Sequence, residues 1–203
     1  MDRLATARAL LATLQRRGSV FDAQEPERTR KFLNLEPSTA ELLHTLVRAT
    51  KRRCGLEIGT SNGYSAIWLG MALCDRPDGD GRLVTIERDA AKHAEAVDNI
   101  ARAGLGCIVD ARLGEATQIV ATLPGPFDFV FFDADRVCSA RQLAILAPAL
   151  AADCLLLADN ALSHADELRA YRACVEQLPG FTSMTLPVGK GLHMAYRGPG
   201  GPL

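Results

Sequence analysis

Short runs of apolar residues alternate with longer amphipathic stretches from residue 51 onward. This alternation is typical of strands that helices join into a parallel sheet. Most of the apolar runs are nearly continuous, as expected for strands covered by helices on both faces. The runs predict strands at Gly55–Ile58, Leu83–Glu87, Gly106–Arg112, Phe127–Asp133 and Cys154–Asp159. The stretches between and after them predict helices at Gly63–Leu73, Ala90–Ala103, Glu115–Leu123, Val137–Leu150 and His164–Gln177.

Two further apolar runs, Phe181–Pro187 and Gly191–Tyr196, close the pattern. Only Val-Gly-Lys separates them, which predicts an antiparallel hairpin. The whole pattern predicts an α/β fold with a Rossmann-like, doubly wound and mostly parallel sheet of seven strands, ending in that hairpin. A chain of 203 residues has the length of one domain, so we expect a single domain over residues 1–203.

The first 50 residues predict a helical extension that acts as a lid or a dimer contact. A helix is expected near Arg3–Arg17, followed by a polar link through Gln24–Arg30 and a second helix. Ser38 and Glu41 have the spacing of a capping box, which predicts Ser38 as the N-cap of that second helix. At the other end of the chain, glycine and proline predict a flexible tail over residues 198–203.

Charge and cysteine usage exclude several functional classes. Lys+Arg 23 against Asp+Glu 24 gives a net charge of −1, which offers no general electrostatic attraction for DNA. The six cysteines are scattered without a C-x-x-C pair, so we expect small buried residues in a reducing cytoplasm rather than disulfides. Because the sequence has neither a signal-peptide pattern nor an apolar stretch of ~20 residues, a cytoplasmic protein without a membrane partner is expected.

A glycine turn joins the first predicted strand to the first predicted helix of the sheet. Gly59 permits a tight turn and close approach of a ligand, and Gly63 is expected to let the helix start pack on the sheet. The G-x-x-x-G spacing departs from the G-x-G-x-x-G fingerprint of dinucleotide sites, because Thr60 and Ser61 stand where a pyrophosphate would need room. The turn therefore favours a ligand without a pyrophosphate.

The next two strand ends add to this prediction. Glu87 follows Gly59 by 28 residues and ends the second strand, where a carboxylate can bind both hydroxyls of a ribose, although it could equally be a solvated strand end. Gly114-Glu115-Ala116 follows the third strand at the same expected rim, although Glu115 could simply complement a helix dipole. Taken together, the glycine turn and the acidic strand end favour an adenosine-type ligand.

Three oxygen-bearing side chains follow the next two strands. Asp133 comes directly after an apolar strand, and Asp159 and Asn160 follow the strand after it. Either segment alone would be explained by helix capping. Because carboxylates after buried strands need a cation, a donor or water to offset their charge, the two segments together predict a site for Mg²⁺ or a similar ion.

The ordered motifs LEIGTSNGYSAIWL, VTIERD, GEA, FDFVFFDADR and LLLADN resemble the cation-dependent O-methyltransferases of the catechol and caffeoyl-CoA type, from about Ser38 to Arg197. The resemblance implies S-adenosylmethionine (SAM) as cofactor, a divalent metal, a small hydroxylated acceptor and a homodimer. The cofactor-binding residues that it implies, in chain order, are Glu57, Gly59, Thr60 and Ser65 for the methionine part, Glu87 for the ribose, Ala116 for the adenine and Asp135 for the amino group. Asp133, Asp159 and Asn160 match the metal ligands, and Asp133 is also implied in catalysis.

The acceptor side departs from this family. Arg136 stands where the family has a lysine that is regarded as the base, and an arginine stays protonated at any working pH. Arg136 could still stabilise an anionic acceptor. Ser139 and Ser163 replace a tyrosine and a tryptophan, and the stretch from Asp159 to Pro187 is shorter than in typical members.

His164 is our candidate to replace the missing base or contact the acceptor, because it follows Asn160 by four residues. An exposed histidine at a helix start is the alternative.

The function expected is metal-assisted transfer of a methyl group from SAM to a hydroxyl of a small aromatic or vicinal-diol acceptor. Methylation of a hydroxylated tRNA nucleoside and a SAM-binding protein without turnover are the alternatives, and a nicotinamide-dependent dehydrogenase is disfavoured by the glycine spacing.

Overall fold

The computed structural model describes residues 3–74 and 80–200 of the chain. Its helices are α1 (Arg3–Gln24), α2 (Pro37–Ala49), α3 (Tyr64–Cys74), α4 (Ala90–Arg102), α5 (Ala116–Val120), α6 (Ser139–Leu146) and α7 (Arg169–Gln177), with a 3₁₀ turn at Ala147–Ala149. Its strands are β1 (Cys54–Ile58), β2 (Arg82–Glu87), β3 (Val109–Leu113), β4 (Phe127–Phe132), β5 (Leu150–Ala158), β6 (Thr182–Leu186) and β7 (Leu192–Arg197).

The strands form one sheet of seven in the order β3-β2-β1-β4-β5-β7-β6. The first five strands pair in parallel, and β7 is antiparallel to both β5 and β6. Because the strand order reverses between β1 and β4, their carboxyl ends border the crevice in which doubly wound sheets bind ligands. This confirms the predicted α/β fold and its C-terminal hairpin.

Helices cover both faces of the sheet, which explains the continuous apolar runs. In β4, Phe129 and Phe131 point into the core that contains residues of α1 to α4, whereas Val130 and Phe132 point into the core of α5 to α7. Successive side chains of a strand face opposite sides, so a strand that is buried on both faces has no polar alternation. Within the described residues, no helix combines the length and the apolar character needed to cross a bilayer.

Two predicted helix starts are wrong. α2 begins at Pro37, with the extended residue Glu36 as its N-cap, and Ser38 lies within its first turn. Proline fits this first position because it has no N–H to leave unpaired. α7 begins at Arg169 rather than His164, because residues 161–168 form turns whose first backbone N–H groups bond to Lys190 and Gly191 instead.

Several other boundaries differ from the prediction. β3 starts at Val109 instead of Gly106, since the N–H groups of Ile108 and Val109 still turn back to Leu105 after α4. α6 stops at Leu146, and Pro148 lies in the 3₁₀ turn before β5, which is longer than predicted.

The cysteines are not uniformly buried as expected: Cys154 is buried, whereas Cys107 is exposed. Residues 201–203 of the predicted tail lie outside the described residues.

Candidate functional site

A cavity of about 700 Å³ opens at the carboxyl ends of the parallel strands. Its lining includes every predicted site residue except Glu57, namely Gly59, Thr60, Ser65, Glu87, Ala116, Asp133, Asp135, Arg136, Asp159, Asn160 and His164. A second cavity, of about 580 Å³, lies at the opposite ends of the strands and contains none of them. The fold thus brings the cofactor, metal and acceptor residues of the sequence analysis to one cavity.

Gly59 connects two parts of this cavity. Its φ of 104° is a conformation that side chains disfavour, and a Cβ on it would lie 2.3 Å from the carbonyl oxygen of Asp133. The lack of a side chain therefore lets the turn after β1 pack on the end of β4. Gly63 behaves differently from the prediction: a Cβ there would meet Ala96 of α4, so it makes room for a helix and not for the sheet.

Glu57 lies beneath the turn, fully buried in β1. Thr85 donates a hydrogen bond from Oγ1 to Glu57 Oε2 at 2.6 Å, and the hydroxyls of Thr60 and Thr85 are 2.5 Å apart. Burial raises the pKa of Glu57 to about 7, against the opposing effect of the Ser65 and Thr85 hydroxyls. Glu57 therefore supports the turn through Thr85 and Thr60, and burial disfavours its charged form.

Glu87 holds the turn from the end of β2. Its Oε2 accepts the backbone N–H of Ser61 at 2.8 Å, and its Oε1 accepts that of Asp89 at 2.9 Å. Each carboxylate oxygen has a further lone pair for a ligand hydroxyl. Ala116 begins α5 at the same rim, and Asp135 accepts the N–H of Val137 at 3.1 Å.

Asp133 and Asp159 form the acidic centre of the cavity. Burial and the neighbouring carboxylates of Asp159 and Glu57 raise the pKa of Asp133 well above its usual range. Burial also raises the pKa of Asp159, with Glu36 adding to the rise. Asp159 is only 4% exposed, and its Oδ1 has no hydrogen-bond partner among the described residues. A buried carboxylate oxygen without a hydrogen-bond partner, beside a second buried carboxylate, is suited to a cation.

Asn160 completes this group. Its backbone is left-handed, with φ 64°, and its Nδ2 donates to Asp159 Oδ2 at 2.7 Å. Among the residues described by the structure, no group of three or more histidine, cysteine or carboxylate side chains is arranged for a metal. A third protein ligand for a metal here would therefore be the amide oxygen of Asn160.

Arg136 and His164 border the acidic centre. Arg136 donates from Nη1 to Asn160 Oδ1 at 3.0 Å and from Nε to Glu167 Oε2 at 2.8 Å. His164 lies on the turn after Asn160, and its Nδ1 is 2.9 Å from Ser163 Oγ. Sequence reasoning missed Glu167, because neither its spacing nor its neighbours mark it as a partner of Arg136.

The segment of residues 28–35, which is part of the N-terminal extension predicted as a lid or a dimer contact, also lines the cavity. Lys92 of α4 donates from Nζ to the carbonyls of Thr29 at 2.8 Å and Lys31 at 2.7 Å. The hydroxyl of Ser61 donates to the carbonyl of Phe32 at 2.7 Å. Residues 28–35 are therefore a strap that is held over the cofactor side of the cavity by the turn and by α4.

Lys190 is a second residue that the sequence motifs did not assign. Its Nζ pairs with Glu36 Oε1 at 2.9 Å, and it lies in the cavity wall. Its positive charge opposes the rise in pKa of Asp133 and Asp159.

Comparison with known proteins agrees with this geometry. Residues 16–176 match the family model described as O-methyltransferase. The chain is 39% identical over 108 residues to a catechol O-methyltransferase of Niastella koreensis, covering 51% of this chain and 47% of that protein. It is 35% identical over 141 residues to a catechol O-methyltransferase of Mycobacterium tuberculosis, covering 66% and 62%. The matches thus span about half to three fifths of the length of these relatives.

A solved structure extends the likeness to nearly the whole fold. The O-methyltransferase of Streptomyces achromogenes that is involved in tomaymycin synthesis, solved in complex with SAM, superimposes with a TM-score of 0.78 at 28% identity. The superposition covers 93% of this chain and 89% of that one.

Proposed function

The chain belongs to the O-methyltransferase family, and from this premise we propose that it transfers the methyl group of SAM to a hydroxyl oxygen of a small aromatic or vicinal-diol acceptor, with the assistance of a divalent metal. The observation that carries the proposal is the packing of Gly59 on the backbone of Asp133. It joins the glycine turn, which suits an adenosine-type ligand, to the acidic centre, which suits a cation.

The cofactor side of the cavity supplies complementary groups for SAM. In this proposal Glu87 binds the ribose hydroxyls with the free lone pairs of its carboxylate, and Ala116 contacts the adenine. Gly59, Thr60 and Ser65 border the methionine part, with Glu57 beneath them. Asp135 accepts from the amino group of the cofactor.

The metal side fits a divalent ion by the chemistry of its donors. Asp133, Asp159 and Asn160 would hold it, since Asp159 Oδ1 is buried without a hydrogen-bond partner in the described part of the chain and the neighbouring Asp159 carboxylate disfavours the charge of Asp133. Such an ion supplies a Lewis acid that lowers the pKa of an acceptor hydroxyl.

The remaining steps belong to side chains of this protein. Arg136 cannot take a proton, but it can attract an anionic acceptor oxygen. His164 lies on the same wall and would accept the hydroxyl proton through an imidazole nitrogen. The acceptor oxygen then attacks the methyl carbon in line, the carbon–sulfur bond breaks, and its electron pair stays on sulfur. Positioning of the two reactants is a major contribution of the cavity.

The proposal that the acceptor is a vicinal diol rests on the two catechol O-methyltransferases named above and on the oxygen-lined metal side. Two neighbouring acceptor oxygens could bind the same divalent ion, whereas two oxygens in meta positions are too far apart to do so. A homodimer is also proposed, from the resemblance of the motifs.

A methyl-transfer assay tests this function. Purified protein is incubated with radiolabelled SAM and Mg²⁺, and with catechol, a flavonoid with a vicinal diol, or resorcinol as the meta control. Methylation of the vicinal diols but not of resorcinol, abolished by chelator and by Asp159→Asn, is expected. The control Asp166→Asn changes an exposed acid on the turn after Asn160. Full activity in excess chelator would remove the metal from the proposal, and SAM binding without methyl transfer to any hydroxyl would overturn the enzymatic role.

A further inference from the structure

Arg136 already holds one of the three ligands of the proposed metal site. Its Nη1 donates to Asn160 Oδ1 at 3.0 Å, and only 19% of its side chain is exposed. A guanidinium does not deprotonate in proteins. A permanent positive charge therefore rests on the amide oxygen that the cation would need.

The amide of Asn160 cannot rotate its oxygen away from Arg136 without losing another hydrogen bond. Its Nδ2 is engaged with Asp159 Oδ2 at 2.7 Å, which fixes Oδ1 on the side of Arg136. An amide oxygen has two lone pairs, so a metal and a guanidinium could in principle share it. The two cations would then be roughly 4–5 Å apart, where partial burial makes their repulsion strong.

Glu167 provides the second anchor of the guanidinium. It accepts from Arg136 Nε at 2.8 Å and is 42% exposed, so it lies toward solvent from the acidic centre. Arg136 can give up Asn160 while it keeps this ion pair, because the two bonds use different nitrogens. Glu167 thus offers the guanidinium a position in which its charge is partly neutralised.

We propose that Arg136 determines the metal affinity of this site by competing with the divalent cation for Asn160 Oδ1. Metal binding requires the guanidinium to leave that oxygen, and Glu167 retains the guanidinium when it does. The free protein consequently binds divalent metal weakly. This inference rests on the metal part of the proposed function, and it concerns binding and not turnover.

Titration of Mn²⁺ tests the inference on the full chain without SAM or acceptor, by calorimetry and by the electron paramagnetic resonance signal of free Mn²⁺. Arg136→Gln is expected to bind Mn²⁺ about tenfold more tightly than the wild type, or better. Arg136→Lys should fall between them, because an ammonium keeps the charge but cannot bond both partners in the same geometry. The control Arg169→Gln removes the same charge from an exposed arginine that pairs with Asp166, and should stay within about twofold of the wild type.

Glu167 is tested by a double-mutant cycle. Glu167→Gln should weaken Mn²⁺ binding severalfold, since Arg136 then keeps its full charge beside the cation. In the Arg136→Gln background the same change should have a much smaller effect, because residues in direct contact are coupled. Thermal unfolding of each variant shows whether it is folded. If Arg136→Gln does not fold, the Mn²⁺ affinity of Arg136→Lys still tests the inference.

Three results would contradict the inference. Equal Mn²⁺ affinity of wild type and Arg136→Gln would overturn it, as would equal tightening by Arg169→Gln. Absence of Mn²⁺ binding in both wild type and Arg136→Gln would overturn it together with the metal part of the proposed function. Calorimetry of SAM with the same samples reports separately on the methyltransferase proposal, so the two failures can be distinguished.

Discussion

The carboxylate of Glu87 accepts the backbone N–H of Ser61 at 2.8 Å, which ties the end of β2 to the turn that follows β1. Ser61 has a positive φ of 48°, and its hydroxyl in turn donates to the carbonyl of Phe32 in the strap. One carboxylate thus orders the turn, and through Ser61 the strap, while keeping lone pairs for a ligand. Loss of its charge should affect both functions.

Glu87→Gln is expected to raise the dissociation constant of SAM roughly 10- to 100-fold, because hydrogen bonds to a charged group contribute about 1.5–3 kcal/mol. Isothermal titration calorimetry with SAM measures the change. Asp98→Asn, an exposed acid on α4 that pairs with Arg102, is the control and should bind SAM as the wild type does. Unchanged SAM affinity in Glu87→Gln would exclude Glu87 as the ribose ligand.

Glu57 should make stability depend on pH. Its folded-state pKa is raised from 4.5 to about 7 by burial, so the folded protein binds the proton more tightly than the unfolded chain. Its contribution to the free energy of unfolding is therefore fully present below pH 4.5, is lost as pH rises to about 7, and stays lost above it.

Glu57→Gln removes this loss, since an amide stays neutral at every pH. Without SAM, the variant is expected to exceed the wild type in stability at pH 8 by on the order of 2 kcal/mol, and to match it near pH 4.5. Urea unfolding at both pH values measures the difference. Glu176→Gln on the exposed side of α7 is the control and should follow the wild-type curve at both. A stability difference that is the same at both pH values would contradict the role of Glu57.

The parts of the site that follow strands could be predicted from sequence. Asp133 and Asp159 directly follow β4 and β5, and parallel strands place such residues on one rim whatever the packing around them. The same holds for Gly59 and Glu87. The order of apolar runs likewise predicted the parallel part of the sheet, because its central strands β1 and β4 are buried on both faces.

The contacts that arise from packing could not be predicted. Arg136 and Glu167 are 31 residues apart, and Lys92 meets the carbonyl of Thr29 from 63 residues away. No local pattern encodes such pairs, because they depend on how the turn and the strap pack against the folded sheet. The misplaced start of α7 has the same origin: the N–H groups of residues 161–163 bond to the loop before β7, which becomes adjacent only on folding.

Gly59→Ala tests the junction between the cofactor and metal sides. A Cβ on residue 59, at φ 104°, would lie 2.3 Å from the carbonyl oxygen of Asp133. The backbone at residue 59 or at Asp133 must therefore shift. We expect a loss of about 2–4 kcal/mol in unfolding free energy, measured by urea titration, together with loss of SAM binding. Gly106→Ala is the matched control, because its Cβ would meet nothing within 4 Å, and it should change stability by less than about 0.5 kcal/mol. A Gly59→Ala protein as stable as Gly106→Ala would contradict the close packing.

Lys92→Met tests the strap. The substitution removes the donor to the carbonyls of Thr29 and Lys31 while keeping most of the aliphatic chain. Hydrogen exchange of the Phe32 and Leu33 amides, which donate to Asp22, is expected to quicken roughly tenfold, and SAM to bind several times more weakly. Arg102→Gln, on the same helix, removes the same charge and should leave both measurements unchanged. Faster exchange without weaker SAM binding would mean that the strap does not cover the cofactor.

His164→Ala tests the proposed base. The imidazole lies in the cavity wall four residues after Asn160, whereas Arg136 cannot accept a proton. With a vicinal-diol acceptor, we expect kcat to fall about 10²–10⁴-fold and the pH profile of kcat/KM to lose its acidic limb, because a base must be deprotonated to act. His93→Gln is the control. His93 lies on α4, its ring Nε2 is 3.1 Å from the carbonyl oxygen of Ala111, and it does not line the cavity. If the profile of His164→Ala keeps the acidic limb, the proton goes to another group, and Lys190 is the next side chain of the cavity to replace.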